Sequence, residues 1–440
     1  MTSLPIVAYR RNLLLLTAAW ATSGTTLFVL VPLLSPGLQL IAPMIPLAWY
    51  FANGRRLPLT RPSIVAVALL IAGLYLAINA SWSKSANSAH VSLAVYFLTI
   101  ATYYLTVHTL ERNDEDVLRA IATGFYAGLA IGGAIMFFEV FSLQWLHRKL
   151  MTLIPALRPK SRDMILDGNV VVYLESYLVN RSIAAMTLLF WPAVLVVSLL
   201  APTRHRQHWW LAGLIPVAAA ILGSKHATSK IAFAGSLIAF IACNARPQLT
   251  RRAIAWAWTG AIFLVVPLAT IAYHSQLYLT DWIPHSARHR VVIWGHTSHL
   301  IAEAPILGSG MNTARALNDP VGHDAPVAPG STFRLTTGLH SHNVYLQAWY
   351  ETGTVGALML IVLGLLVLRS LVHAPPRAQP FLYATFATVA LLGGTSFSLW
   401  QPWFMASFGF AAGFAALGWV LAGRAHAREA SAPAVGALDG

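Results

Sequence analysis

The chain has 440 residues, of which 57% are hydrophobic and only 10% are charged. Soluble domains carry about 25% charged residues, so this composition excludes an ordinary soluble protein and indicates an integral membrane protein. The formal net charge of +14 does not point to a nucleic-acid partner, because the basic residues lie between apolar runs. Membrane topology and contact with membrane lipids account for them instead.

Runs of roughly 20 apolar residues predict transmembrane helices. In chain order, the candidate spans are 12–33, 37–52, 62–80, 91–110, 117–141, 182–200, 209–223, 230–244, 253–273, 353–371, 381–398 and 403–422. The predicted fold class is therefore all-α: an integral membrane protein with about twelve transmembrane helices, forming a single domain over residues 1–440.

The distribution of Arg and Lys predicts the side of the membrane that each connection faces. With a cytoplasmic N-terminus, the inner connections contain most of the Arg residues, whereas the short outer connections contain Lys84, Lys225 and Lys230. This bias predicts that both termini are cytoplasmic. Residues 424–440, rich in Ala and Gly, are expected to form a flexible cytoplasmic tail.

Two longer outer segments, 142–181 and 274–352, are where we expect function, because long loops in a compact domain are usually binding or catalytic. The first alternates apolar and basic residues after Trp145, which predicts an amphipathic helix at the membrane interface. The second is predicted to be a large loop containing a helix at 290–304, where an apolar stripe has helical spacing.

The end of the second segment reads LHSHNVYLQAWYETGTVG over residues 339–356. Ser341 is a candidate N-cap for a helix, since it is a hydroxyl residue just before a helical pattern. Asn343, Gln347 and Glu351 then fall on one stripe of that helix. This pattern favours a helix that faces a wet cleft, although ordinary interfacial polar residues would give the same pattern.

Two histidines, His340 and His342, lie at the start of the same helix. A neutral imidazole there could accept a proton from a hydroxyl group. Metal binding is a weaker interpretation, because no cluster of carboxylates or cysteines accompanies the His-x-His pattern.

Five basic residues lie on the predicted outer side, against the general bias: Arg181, Lys225, Lys230, Arg288 and Arg290. Basic side chains at membrane edges often snorkel or contact lipid phosphates. A group of them also suits a ligand that carries pyrophosphate, because guanidinium groups bind phosphate bidentately. The residues alone leave both interpretations open.

Three motifs follow one another in the second outer segment: Arg290-x-x-x-Trp294, then Pro305-Ile-Leu-Gly308-x-Gly310, then His342-Asn343 followed after nine residues by Gly353 and Gly356. Their order and spacing resemble the O-antigen ligase and polymerase superfamily. The resemblance covers residues 285–356, and the predicted topology agrees with it over the whole chain.

The resemblance implies a glycosyltransferase of the GT-C type in the bacterial inner membrane. An O-antigen ligase of this kind transfers O-antigen from undecaprenyl pyrophosphate to a sugar hydroxyl of lipid A–core on the periplasmic side. It needs no ATP or metal and inverts the anomeric carbon. The expected partners are therefore the lipid-linked donor, the lipid A–core acceptor and membrane lipids, with no cofactor.

The family's motifs also assign roles to residues of this chain. His342 matches the essential histidine, which would act as general base, and Arg290 matches the arginine before the tryptophan. A basic residue in a Ser-Arg context would correspond to Lys230 or to its rival Lys225, while Arg181 could supply a guanidinium instead. The remaining expected substrate-binding residues are Arg288, His340, Asn343 and Gln347.

Other activities use a related fold. An O-antigen polymerase would use the same donor with another lipid-linked glycan as acceptor, and a protein O-oligosaccharyltransferase would transfer to Ser or Thr. A transporter would need charged residues within its spans, and the spans here contain almost none. We therefore expect a ligase first, a polymerase second and a transporter last.

Overall fold

A computed structural model describes residues 4–56, 62–201, 204–317 and 326–431. These residues form seventeen α-helices and one antiparallel β-hairpin. The first half contains α1 (Leu4–Leu30), α2 (Ser35–Ile41), α3 (Met44–Ala52), α4 (Ile64–Asn79), α5 (Ala86–Arg112), α6 (Glu115–Phe141), α7 (Trp145–Leu153), β1 (Met164–Asp167), β2 (Val170–Leu174) and α8 (Asn180–Leu200). The second half contains α9 (Arg204–Ala212), α10 (Ile215–Gly223), α11 (Ala227–Ala245), α12 (Pro247–His274), α13 (His285–Ile301), α14 (Thr313–Leu317), α15 (Val344–Ser370), α16 (Gln379–Thr395) and α17 (Pro402–Ser431).

Ten segments of the described chain are long and apolar enough to cross a membrane. The structure therefore confirms a mostly helical membrane protein and corrects the prediction of twelve long spans. The predicted seventh span is divided into α9 and α10, of nine residues each, and the predicted eleventh is α16, of only seventeen residues.

One end of α10 and one end of α16 lie beside the ends of longer helices. Ser182, at the start of α8, donates to Leu30 O at the end of α1, and His226, just after α10, contacts Ser396, just after α16. Ser35 at the start of α2 donates to Trp403 O at the start of α17. All these ends lie together, and we call this end of the bundle the loop end.

The helices pack closely because small residues lie at their contacts. Gly124 and Gly128 of α6 face Ala18 and Thr22 of α1, and a Cβ atom at Gly124 would lie 2.2 Å from Ala18 O. The contacts advance in the same direction along both helices, so α1 and α6 run parallel. At the centre, most side chains of α8 are buried, and they pack against α6, α16 and α17.

The outer segment 142–181 begins with the predicted helix, α7, and then forms a hairpin that the sequence did not predict. The buried carboxylate of Glu139 accepts from the backbone of Leu146 and His147 and from the His147 ring. Arg148 and Arg158 donate to backbone carbonyls of the hairpin segment at 2.9 and 2.7 Å. These basic residues therefore attach the hairpin to α7.

The predicted flexible tail is helical throughout its described part, residues 424–431. Helix α17 continues to Ser431, and Arg428 pairs with both carboxylate oxygens of Glu115 at 2.7 Å. Arg424 donates to Asn113 O at 2.7 Å. These contacts with the start of α6 explain why the helix persists there. Residues 432–440 lie outside the described chain.

Candidate active site

The loop before α15 forms the centre of the site. Asn343 is the N-cap of α15, because its Oδ1 accepts from the backbone N–H groups of Tyr345 and Leu346 at 2.9 and 3.1 Å. The prediction that Ser341 is the cap is therefore wrong by two residues. Ser341 instead donates to Asn343 O, and its own carbonyl accepts from Trp294 Nε1 of α13 at 2.7 Å.

His342 is held in a defined orientation and tautomer. Its backbone has a positive φ of 54°, and its Nδ1 lies 3.0 Å from Ser396 O. A carbonyl oxygen can only accept, so Nδ1 carries the hydrogen and Nε2 carries the lone pair. Burial, followed by the charge of Arg290, lowers the pKa of His342 to about 4. The imidazole is neutral at physiological pH.

His340 lies against His342, with ring centroids 4.1 Å apart. It is 8% exposed, and burial, followed by the neighbouring His342, lowers its pKa to about 3. Its Nε2 is buried and has no partner among the described residues. Two neutral imidazoles in contact therefore occupy the loop, and the Ser396 carbonyl that orients His342 also acts on His340, whose pKa it raises in opposition to burial.

The turn between α16 and α17, residues 396–401, is the second half of the site, and the sequence did not point to it. Arg290 donates to Thr395 O at 3.1 Å, next to the Ser396 carbonyl that orients His342. Burial lowers the pKa of Arg290, which nevertheless remains a strong base. Adjacent carbonyls of one turn thus fix the guanidinium and the imidazole.

His226 is a second residue that sequence reasoning missed. Its Nε2 lies 3.2 Å from Ser396 Oγ and its Nδ1 lies 2.7 Å from Ser229 Oγ. Burial, then the charge of Arg290, lowers its pKa to about 4. The sequence SKHATSK places this histidine between the two candidate lysines. That position is the signal from which His226 could have been predicted as a site residue.

Lys225 and Lys230 are brought near the site by this segment. Lys225 is exposed and directly precedes His226, and Lys230, on the first turn of α11, is partly buried. The segment is attached to the turn by His226 and by Thr228, which donates to Thr395 O at 3.2 Å. Both lysines therefore flank the part of the chain that contacts the α16–α17 turn.

Two other predicted cations are placed differently. Arg288 pairs with Asp281 at 3.1 Å, and it lies two positions before Arg290 on α13, so the two side chains leave the helix on different sides. Arg181 is exposed on the first turn of α8. Within the described ranges, no hydrogen bond or ion pair joins either side chain to the histidine loop or to the α16–α17 turn.

The expectation that Asn343, Gln347 and Glu351 face a wet cleft is wrong, since their exposures are 8%, 2% and 0%. Gln347 donates to Ser398 Oγ and to Glu351, at 2.9 and 3.0 Å, and accepts from Leu399 N at 3.1 Å. Glu351 also accepts from Ala314 N and Trp400 Nε1. These groups join α15 to the α16–α17 turn.

The glycines of the sequence motifs allow backbones to approach closely. A Cβ atom at Gly308 would lie 2.4 Å from Glu351 C, and one at Gly353 would lie 2.3 Å from Ile306 O. Both residues have positive φ, 73° and 62°, which favours glycine. Thr354 N donates to Pro305 O at 2.8 Å. The motifs thus attach the loop after α13 to α15.

Metal-ligating residues are not clustered in the part of the chain that the structure describes. No group of three or more His, Cys, Asp or Glu side chains there could hold a metal ion. The polar side chains that do converge are imidazole, guanidinium and hydroxyl groups, contributed by the segments around His226, Arg290, His342 and Ser396.

Comparison with known proteins gives a consistent identification. Residues 211–361, which contain most of the site, match the family model described as O-antigen ligase. A Rickettsia conorii protein named "Putative polysaccharide ligase" is 25% identical over 235 residues, 52% of this chain and 55% of its own length. The Rickettsia felis and Rickettsia bellii proteins of that name are 24% identical (52% of this chain, 56% of theirs) and 26% identical (39% and 42%).

The alignments span about half the length of these relatives. The matched family segment includes Lys225, His226, Arg290 and both loop histidines. It also includes Gly308 and Gly353, whose close approach attaches the loop to α15. Through this segment, the chain is similar to the O-antigen ligase family.

Proposed function

We propose that this protein is an O-antigen ligase. It transfers O-antigen polysaccharide from undecaprenyl pyrophosphate to a sugar hydroxyl of lipid A–core, inverting the anomeric carbon without a metal. One observation carries the proposal beyond the similarity of residues 211–361 to this family. His342 and Arg290 are fixed by the adjacent carbonyls of Ser396 and Thr395, so a proton acceptor and a phosphate-binding group share one site.

His342 is the general base in this mechanism. The acceptor hydroxyl oxygen attacks the anomeric carbon, and its proton passes to the lone pair of His342 Nε2. The bond between the anomeric carbon and the pyrophosphate oxygen breaks, and the leaving group departs with the electron pair. The hydrogen bond from Nδ1 to Ser396 O supports this role, because it keeps the lone pair on Nε2.

Arg290 binds the pyrophosphate and offsets its growing charge, with Lys225 or Lys230 as a second cation. Arg290 also lowers the pKa of His342 in the free protein. A bound pyrophosphate opposes that charge, so donor binding raises the basicity of His342 toward the range in which an imidazole accepts a proton efficiently. Base strength is thereby coupled to the presence of the donor.

The proposed location is the bacterial inner membrane, with both termini cytoplasmic and the loop end in the periplasm. The bias of Arg toward the opposite end supports this orientation. In this arrangement residues 274–352 form a periplasmic loop on a GT-C-type transmembrane domain. The phosphates of lipid A–core would approach the same face, where α7 and the residues between it and β1 carry further basic residues.

The direct test is the lipopolysaccharide banding pattern of a strain that lacks this protein. Loss of the whole O-antigen ladder, with accumulation of lipid-linked polymer, is the expected result, and the intact chain should restore the ladder. Retention of a band with a single repeat would instead identify a polymerase. An unchanged ladder together with loss of glycosylated protein would identify a protein O-oligosaccharyltransferase.

A further inference from the structure

His226 contacts the α16–α17 turn but takes no part in the proton transfer proposed for His342. Its side chain is buried between two buried serine residues, Ser229 and Ser396. Nδ1 lies 2.7 Å from Ser229 Oγ, and Nε2 lies 3.2 Å from Ser396 Oγ. Ser396 is also the residue whose carbonyl oxygen accepts from His342 Nδ1 at 3.0 Å. One serine thus joins two imidazoles, through its hydroxyl group on one side and its backbone carbonyl on the other.

The hydrogen of the neutral His226 ring is on Nε2. Burial, followed by the charge of Arg290, lowers the pKa of His226 to about 4, so the ring has one N–H group. Ser229 is 0% exposed, and within the described ranges its hydroxyl group bonds only to His226 Nδ1. Because a buried hydroxyl group is nearly always paired, Ser229 donates to Nδ1. The Nε2–H group therefore donates to Ser396 Oγ.

The direction of the Ser396 carbonyl is not fixed by helix α16. The helix ends at Thr395, and Ser396 has non-helical φ and ψ angles of −130° and −79°. Its carbonyl therefore leaves the regular helical hydrogen-bond pattern and needs another constraint. Gln347 holds the turn two residues later, at the hydroxyl group of Ser398. In the part of the chain that the structure describes, the Ser396 hydroxyl group itself bonds only to His226.

We propose that His226 is a positioning residue for the transfer reaction. It holds Ser396 so that the Ser396 carbonyl keeps the hydrogen of His342 on Nδ1 and the lone pair on Nε2. This inference rests on the proposed function, in which that lone pair accepts the proton of the acceptor hydroxyl. Lys225 and Lys230 belong to the same segment as His226. The segment therefore connects the lysines proposed to bind donor phosphates to the orientation of the base.

Two serine variants separate positioning from a general loss of stability. Ser396→Ala removes the hydroxyl group that accepts from His226 but keeps the backbone carbonyl. Ser236→Ala is the matched control, because Ser236, about two turns beyond Ser229 on α11, is also buried and its Oγ also accepts from a ring nitrogen, Trp191 Nε1 at 2.8 Å. The two variants should lose similar stability, since each loses one buried hydrogen bond.

The kinetic constants for glycan transfer should differ between these two variants. Ser396→Ala should lower kcat by about 10- to 100-fold, the scale of a displaced catalytic group, and leave the KM for the donor within about threefold. Ser236→Ala should keep the kcat of the wild type. A Ser396→Ala enzyme with wild-type kcat, or an equal loss of kcat in Ser236→Ala, overturns the proposal.

A double-mutant cycle tests whether His226 acts through Ser396. His226→Leu should lower kcat as Ser396→Ala does, and the two changes combined should lower it no further than His226→Leu alone, because both remove the same interaction. Multiplicative losses in the combined variant would show that His226 acts by another route and would overturn the proposal.

The closing experiment is nitrogen-15 NMR of the full chain with labelled histidines, which reports the ring nitrogen that carries the hydrogen. The signals of His342, identified by their loss in His342→Asn, should show the Nδ1–H tautomer in the wild type and in Ser236→Ala. In Ser396→Ala and His226→Leu, part of the signal should move to the Nε2–H tautomer. An unchanged Nδ1–H tautomer in both variants overturns the proposal.

The NMR measurement does not depend on transfer activity. A wild-type chain that transfers no glycan would contradict the proposed function, while the tautomer of His342 would still decide whether His226 positions Ser396. An active wild type with the same tautomer in all variants would contradict only the role of His226.

Discussion

His342 Nδ1 donates to Ser396 O over 3.0 Å, although the two residues are 54 positions apart in the chain. The bond joins the loop before α15 to the turn between α16 and α17. Because the next carbonyl back, Thr395 O, accepts from Arg290 at 3.1 Å, a shift of this turn would move the imidazole and the guanidinium together. The site therefore depends on how precisely one turn is positioned.

The pH dependence of transfer follows from the neutral state of His342. Its pKa in the free protein is lowered to about 4, and the unprotonated form is the active one. Hence kcat/KM for the donor should stay level from pH 8 down to about pH 5.5, whereas an unperturbed histidine, with a pKa of about 6.5, would already reduce it. Initial rates across this range provide the test.

Arg290 supplies the internal control for that profile. Its charge lowers the pKa of His342, so Arg290→Gln should move the acid limb to higher pH as well as reduce the rate. If the acid limb of the wild-type kcat/KM profile is centred near pH 6.5 and does not move in Arg290→Gln, His342 is not the titrating base.

Arg290 and Arg288 form a matched pair on one helix. Arg290 is anchored beside His342, whereas Arg288 pairs with Asp281. Arg290→Gln should reduce kcat/KM by about 100-fold or more, the scale of a lost transition-state charge contact, while Arg288→Gln should stay within about threefold, as for a surface pair. Equal losses in both variants would place Arg288 in the donor site too.

Gly353 should tolerate no side chain. A Cβ atom there would lie 2.3 Å from Ile306 O, and the residue has a φ of 62°. Gly353→Ala should therefore lower the free energy of unfolding by about 3 kcal/mol or more, from backbone strain and overpacking together. Denaturation in detergent by increasing SDS measures this, with Gly260→Ala as the uncrowded control. Equal stability of the two variants would contradict the observed backbone approach.

Gln347 is expected to affect stability rather than substrate binding. Gln347→Leu would leave Ser398, Leu399 N and Glu351 without this partner, at a cost of about 1–3 kcal/mol for each buried group left unpaired. The folded fraction should keep its KM for the donor, because Gln347 is buried away from solvent. Normal stability combined with a much higher KM would restore Gln347 as a substrate-binding residue.

Much of the transmembrane fold is predictable from the sequence, because apolar length is a direct requirement of the bilayer. Helices such as α5, α6 and α12 lie where the apolar runs predict them. The hairpin of β1 and β2 was missed, since two strands of four and five residues give little periodic signal. The continuation of α17 was missed because the pairing of Arg428 with Glu115 is a long-range contact.

The site was predictable only in part. The sequence resemblance selected His342 and Arg290, and the structure brings both to one turn. The role of that turn could not be predicted from the sequence, because the turn acts through backbone carbonyls, which every residue has. The same reason explains why the burial of Gln347 was not predicted, since its partners include a backbone N–H and the hydroxyl group of Ser398.

The central claim is that His342, and not its neighbour His340, accepts the proton. Asn tolerates the positive φ of His342 and can still donate to Ser396 O, but it cannot act as a base. The decisive measurement is the initial rate of glycan transfer by the purified full chain, with an undecaprenyl-pyrophosphate-linked donor and lipid A–core. His342→Asn should lose about 10²–10⁴-fold in kcat, and His340→Asn should lose less than about tenfold. A His342→Asn enzyme close to wild-type activity, or inactivation by His340→Asn alone, would contradict the account.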